Sequence, residues 1–251
     1  YERTILVYLE GRFAMAQADN RPSITVAVQQ VVNANTLEPL REQSNVGTRI
    51  MTSLFDNLIE LDLQNELQQI PGLASEWKRL DDRTVELTLR RGVKFHNGDE
   101  MTADDVVFSF GPERMFGKAG APEAKLFTSV VGGETKELPP EVPAVSKRLW
   151  PALERVEAVD QYTVRFVNKV PDVTLEGRIA RGSQIISRRA FNEAKSWLDW
   201  ARSPIGTGPY RIVEFRPDTS LTLAAFDDYW QGRPPVKQIR LVVVPEVASR
   251  I

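Results

Sequence analysis

A mixed α/β fold (α+β in its segregation of strands and helices) follows from three features of this 251-residue sequence. Val85, Leu87 and Leu89 alternate with Glu86, Thr88 and Arg90, and Asn97-Gly98 then leads into Thr102–Phe110. That is the pattern of a half-buried strand, a tight turn and a capped helix. Val46, Ile50, Leu54 and Leu58 recur four apart with Met51, Phe55 and Ile59 beside them, one face of an amphipathic helix. Alternating runs at 156–167 and 210–226 read as paired strands.

Composition narrows the functional classes. Hydrophobic residues make up 42% of the chain, enough for a real core in one large domain or two ordinary ones. A formal net charge of −2 with dispersed Lys and Arg offers no basic field, so no nucleic-acid partner is expected. No apolar run reaches the about 18 residues of a membrane-spanning helix. The chain has no cysteine, which excludes disulfides, thiolate metal sites and cysteine nucleophiles.

In chain order, residues 1–19 read as an N-terminal arm or a signal or tag remnant. Ile5–Leu9 is apolar and Ala14-Met-Ala16 has the small residues of a cleavage site, but Glu10 and Arg12 interrupt the run. Ile24–Gln29 alternates as a strand. The polar Asn33-Ala-Asn-Thr36 follows, and Pro39 disfavours a helical Glu38, so an extended connection is expected. Loops at the carboxyl ends of strands are where open α/β sheets bind ligands; a solvated loop is equally compatible with these residues. A helix is expected over 45–61 with Asn45 as its N-cap. Pro71-Gly72 reads as a turn, and the glycine- and proline-rich tract 117–146 is expected to form long surface loops.

Val156–Val167 predicts two strands about a turn at Asp160-Gln161, and Ile185–Ala201 a helix. Ser203-Pro-Ile-Gly-Thr-Gly-Pro-Tyr210 fixes a sharp connection. Tyr210–Phe215 and Leu221–Phe226 form a hairpin about Pro217-Asp218, and Ile239–Val244 is apolar enough for a strand buried on both faces. Pro245-Glu246 has the composition of a helix start.

Six stretches carry a resemblance: Leu73–Lys78, Arg91–Asp99, Thr102–Phe110, Tyr162–Phe166, Gly206–Tyr210 and Asp227–Pro235. Together they resemble the family-5 extracellular solute-binding proteins, the peptide-, opine- and nickel-type receptors of ABC importers. The resemblance implies a two-lobed clamshell of the type II periplasmic-binding-protein kind, incomplete in this chain. One lobe would comprise 20–62 with 202–251 and the other 63–201. It further implies a small-molecule or peptide solute, delivery to the transmembrane subunits of an ABC permease, a periplasmic location and no cofactor. It places Asn33, Asn35 and Thr36, with Arg41, Gln43 and Asn45, beside the bound solute.

Other chemistry is thinly encoded. The doublets Asp81-Asp82, Asp104-Asp105 and Asp227-Asp228 suit turns and caps better than a paired acid and base, since adjacent side chains diverge. His96, the single histidine, lacks the three or four ligands of a metal site, and no Gly-x-Ser-x-Gly elbow supports a triad. Gly206-Thr-Gly208 lacks a phosphate loop's Gly-Lys-Ser/Thr ending. Trp77 and Trp230 are expected in cores, whereas Trp197 and Trp200 stand near a crossing. A hydrolase using dispersed carboxylates and a protein-interaction module are the competing readings; the favoured one is a binding protein with no catalytic activity.

Overall fold

A computed structural model describes residues 19–33, 36–111, 114–115, 141–195 and 197–246, with ten strands and six named helices among them. Three sheets organise it. The first joins β1 (Ser23–Val28), β10 (Gln238–Val243), β9 (Ser220–Ala225) and β8 (Tyr210–Arg216) in that order. Only β1 and β10 run parallel, with Ile24 beside Ile239 and Val26 beside Leu241. A two-stranded ribbon pairs β2 (Ile59–Asp62) with β3 (Gln68–Pro71). The third sheet is antiparallel, in the order β4 (Ala74–Arg79), β5 (Thr84–Leu89), β7 (Thr163–Asn168), β6 (Leu153–Asp160).

Helix α1 (Asn45–Leu54) packs against the first sheet, and α2 (Ala103–Ser109) against β6 and β7 of the third. The others are α3 (Glu141–Leu149), α4 (Leu175–Gly182), α5 (Arg188–Glu193) and α6 (Trp197–Arg202). Two apolar cores result. Val85, Leu87, Phe95, Val106, Phe110, Phe166 and Ile179 fill the one around the third sheet. Ile50, Leu54, Leu221 and Leu223 fill the other, joined by Phe108, Phe191 and Trp200 from the middle of the chain.

The strand–turn–helix element forms as expected. Val85, Leu87 and Leu89 are buried, and Gly98 takes φ 89° in the turn, where a side chain would be strained. Thr102 is the N-cap of α2; its backbone N–H donates to Asp105 Oδ2 at 3.0 Å. Asp105 Oδ1 also accepts the Arg188 N–H at 3.1 Å, so one carboxylate joins the start of α2 to α5.

Four expectations are corrected. The first helix begins one residue earlier in its cap, with Ser44 Oγ accepting the Gly47 N–H at 3.0 Å, and it ends at Leu54 rather than Leu61. It stops there because Gly208 N–H donates to Leu54 O at 3.0 Å, and a Cβ on Gly206 would lie 2.2 Å from that same oxygen. Ile185–Ala201 is not one helix: α5 and α6 are separate, with extended backbone at Ala194. Residues 141–146 belong to α3 rather than to a loop, while 116–140 lie outside the described residues. Strand β10 is half-buried instead of covered on both faces, and on its neighbour Ile24 and Val26 are 41% and 40% exposed. The β8–β9 and β6–β7 hairpins form as the alternation predicts.

Candidate functional site

The parallel pairing of β1 with β10 brings the chain out of both strands at the same end, and the β1–α1 loop sits there. Val31, Val32 and Leu37 anchor it in the core, and Leu37 N–H donates to Ala201 O at 2.7 Å. Two carboxylates then hold its shape. Glu38, 0% exposed, accepts the Leu40 N–H at 3.1 Å, the Arg114 guanidinium and the Trp200 indole N–H. Arg114 is itself 1% exposed. A charge buried that deeply persists only when paired and hydrogen-bonded, as here by three donors from three parts of the chain.

Glu42 ties the two limbs together. Its Oε2 accepts the Asn33 N–H at 2.8 Å, while Oε1 accepts the Ser44 N–H at 3.0 Å and the Ser44 hydroxyl. Pro39 begins a helical turn in which the Glu42 N–H reaches Glu38 O at 2.9 Å. The connection is therefore folded after Pro39, although Glu38 itself is non-helical.

This scaffold brings Asn33 together with Arg41, Gln43 and Asn45. Asn33 and Asn45 are exposed, and Arg41 and Gln43 are half-buried. Gln43 Nε2 donates to Pro39 O, and Arg41 N–H to Glu38 O at 3.0 Å. Thr36 is different: it is 1% exposed, and its hydroxyl accepts the Glu38 N–H at 3.1 Å, a role within the loop. Asn35 lies outside the described residues. Sequence reasoning missed Glu38 and Glu42. The one local signal was an acidic residue at each end of a Pro39-initiated turn.

A second polar cluster joins the two most distinctive sequence stretches. Asp56 Oδ2 accepts the Thr207 hydroxyl at 3.0 Å and the Trp230 indole N–H at 3.0 Å, and Oδ1 accepts the Tyr229 hydroxyl at 2.8 Å. Burial pushes the Asp56 carboxyl above its ordinary range, with these donors pulling the other way. Burial, and then the Asp56 charge, push the Tyr229 hydroxyl far up. Burial likewise raises Glu60, helped by Asp56 and opposed by the Asn57 N–H. Beside them His96 is buried: its Nε2–H donates to Gly208 O at 2.9 Å and its backbone N–H to Gly206 O at 3.0 Å. Burial lowers the His96 pKa to about 4. The turn at 96–98 is thus pinned to the turn at 206–208. His96 is a joint between them.

The aspartate doublets act as caps and surface partners. Asp81 Oδ1 accepts the Arg83 N–H at 2.8 Å, Asp227 pairs with Arg21 and Arg233, and Asp228 pairs with Lys94. Among the described residues no three His, Asp or Glu side chains are placed to hold a metal ion. Nor is any helix among them long and apolar enough to cross a membrane. Trp200 lies in the core of the first sheet, whereas Trp77 and Trp230 are only partly buried against the core of the third.

Fold and site together define a chain with the architecture of periplasmic substrate-binding proteins. MoaA from A. tumefaciens R10, solved with mannopinic acid, superposes with a TM-score of 0.73 at 25% identity, covering 92% of this chain and 42% of that one. The oligopeptide-binding protein AppA of Bacillus subtilis, solved with a nonapeptide, gives 0.69 at 24% identity over 91% of this chain and 42% of its own. Residues 68–251 match the model for bacterial extracellular solute-binding proteins, family 5 Middle, and the chain belongs to that family. Di/tripeptide-binding protein 2 of Pseudomonas aeruginosa is 28% identical over 263 aligned residues, 95% of this chain and 44% of its own length. Heme-binding protein A of Haemophilus influenzae is 30% identical over 204 residues, 72% of this chain and 32% of its own. The chain spans less than half the length of these relatives.

Proposed function

We propose that this chain captures a small solute, a peptide or related compound, for delivery to the transmembrane subunits of an ABC importer outside the cytoplasm. The observation that carries the reading is the β1–α1 loop. Its backbone is fixed by two hydrogen-bonded glutamates, and the amide side chains of Asn33 and Asn45 remain exposed beside it. Amides both donate and accept, which suits a peptide backbone, and a fixed loop loses little entropy on binding. The names of the peptide-binding relatives support a peptide, and the mannopinic acid complex supports a wider range of small polar solutes.

On this reading Asn33, Asn35, Arg41, Gln43 and Asn45 face the solute, and Thr36 supports the loop from inside. The two apolar cores support two lobes, although Leu58 and Ile59 pack in one and Phe108, Phe191 and Trp200 in the other across the 20–62 with 202–251 and 63–201 division. Solute contacting both lobes would favour the closed state. No bond in the solute is made or broken. The test is calorimetry with a panel of di- and tripeptides, comparing the native protein with an Asn33→Ala/Asn35→Ala variant. The expected result is binding weakened by about 1–3 kcal/mol with the melting temperature of the free protein unchanged. A lowered melting temperature with affinity intact would assign the loop a purely structural role. Recovery of a chemically processed peptide would point to the hydrolase instead.

A further inference from the structure

A groove away from the β1–α1 loop has the make-up of a second ligand site. It is a cavity of about 430 Å³ between the β2–β3 ribbon, the end of α3 and the outer side of α4. Arg148, Arg178 and Arg181 line it together with Leu61, Leu67 and Leu149. Its volume lies within the range of small-molecule pockets.

The charge in this groove is unbalanced. Arg178 is held by Asp172, with Nε 3.2 Å from Oδ2, and by Leu149 O at 3.3 Å from its terminal nitrogen. Glu176, the other acid near the start of α4, is engaged by Arg79. Arg148 and Arg181 are exposed, and neither forms an ion pair among the described residues. Each stands in the last turn of its helix, where a cation suits the helix dipole. The dipole accounts for their charge. It does not account for three arginines lining one groove with an apolar wall.

That wall is built at some conformational cost. Glu66 and Leu67 adopt φ 53° and 59°, the left-handed region that non-glycine residues seldom occupy. Asp62 braces the turn by accepting the Gln64 N–H at 2.9 Å and, through its carbonyl, the Leu67 N–H at 3.0 Å. The result leaves Leu67 48% exposed on the rim of the groove. Opposite it, Gly177 leaves room inside α4: a Cβ there would meet nothing nearer than Gln69 Nε2 at 3.8 Å. A glycine in a helix costs stability relative to alanine, and no close contact requires one at this position.

We infer that this groove binds a small anionic amphiphile, its phosphate or carboxylate held by Arg148, Arg178 and Arg181 and its short apolar part lying on Leu61, Leu67 and Leu149. Guanidinium forks match both head groups in geometry. The inference is independent of the solute reading above, because no residue is shared between the two sites.

The test titrates the chain, at low ionic strength and below micelle-forming concentrations, with octyl phosphate, octanoate and inorganic phosphate. Two-dimensional NMR follows the Gln69 side-chain amide. At least one of the octyl probes should saturate, and which one does identifies the head group. Arg148→Gln/Arg181→Gln should weaken that binding at least tenfold, and Gly177→Leu, which fills the groove, should do the same. Arg155→Gln, on the third sheet, should not. Circular dichroism checks that each variant folds, and the arginine pair is exposed enough to be replaced without disturbing the core. Failure of both octyl probes to saturate overturns the inference. So does binding unaffected by the arginine substitutions, or inorganic phosphate binding as tightly as octyl phosphate.

Discussion

Acidification from pH 7 to pH 5 should weaken the fold through one side chain, His96. Neutral, its Nε2–H is satisfied by Gly208 O, while Nδ1 is buried with no hydrogen-bond partner. Protonation would add a second buried N–H with no acceptor, beside the edge-on Phe226 ring and near the Arg211 charge. Burial, then Arg211, accordingly lower the pKa from 6.5 to about 4, the Gly208 carbonyl opposing them. The unfolded chain therefore binds the proton more readily, and stability present above pH 6.5 is lost as pH falls towards 4. At about 1.4 kcal/mol per decade the whole effect is about 3 kcal/mol, of which about 2 kcal/mol is lost by pH 5.

Asp56, Glu60 and Asp105 work in the opposite sense. Burial raises their pKa values, so acidification through their range favours the fold. Urea denaturation of the native chain and of His96→Gln at both pH values separates the two contributions, because the carboxyl groups are common to both. The native chain should lose about 2 kcal/mol more than the variant between pH 7 and pH 5. As the only histidine, His96 gives a single imidazole Hε1 signal, so NMR reads its pKa directly. A value at or above 6 in the folded chain, or equal pH dependence in the two proteins, would refute the reasoning.

Glu38→Ala should leave Arg114 buried without its carboxylate and cost about 3–5 kcal/mol in chemical denaturation, with the emission of buried Trp200 shifted to the red. Asp105→Ala, which strands the Thr102 and Arg188 N–H groups, should cost more than Thr102→Ala, for which about 1 kcal/mol is the usual N-cap scale. Equal denaturation midpoints for the two would show that the Asp105–Arg188 bond adds no stability. Gly208→Ala should lower the melting temperature sharply, since its Cβ would lie 2.5 Å from the Leu54 carbonyl carbon; a melting temperature unchanged by this substitution would mean the turn yields easily.

Short-range encoding accounts for most of what could be read early. The alternation of Val85, Leu87 and Leu89, the Asn97-Gly98 turn and the Thr102 cap each depend on residues within one turn or one strand, and all three stand in the structure. The β8–β9 hairpin was legible for the same reason, as was the family likeness carried by these contiguous motifs. Asn33 could be nominated from its position after a strand, and Arg41, Gln43 and Asn45 through the family resemblance, but nothing local shows which way such side chains point.

Tertiary packing decided the rest. The stripe from Val46 to Ile59 is continuous in apolar spacing, yet α1 ends at Leu54 because a turn about 150 residues further on takes its last carbonyl. Leu58 and Ile59 then join the other core. Glu38 looks in sequence like any acidic residue of a solvated loop. Its burial depends on Arg114, 76 residues away, and Trp200, 162 residues away. Local preferences differ by fractions of a kcal/mol per residue, whereas an unpaired buried charge costs several kcal/mol. Where the two conflict, the distant partner prevails, and that partner exists only once the chain has folded.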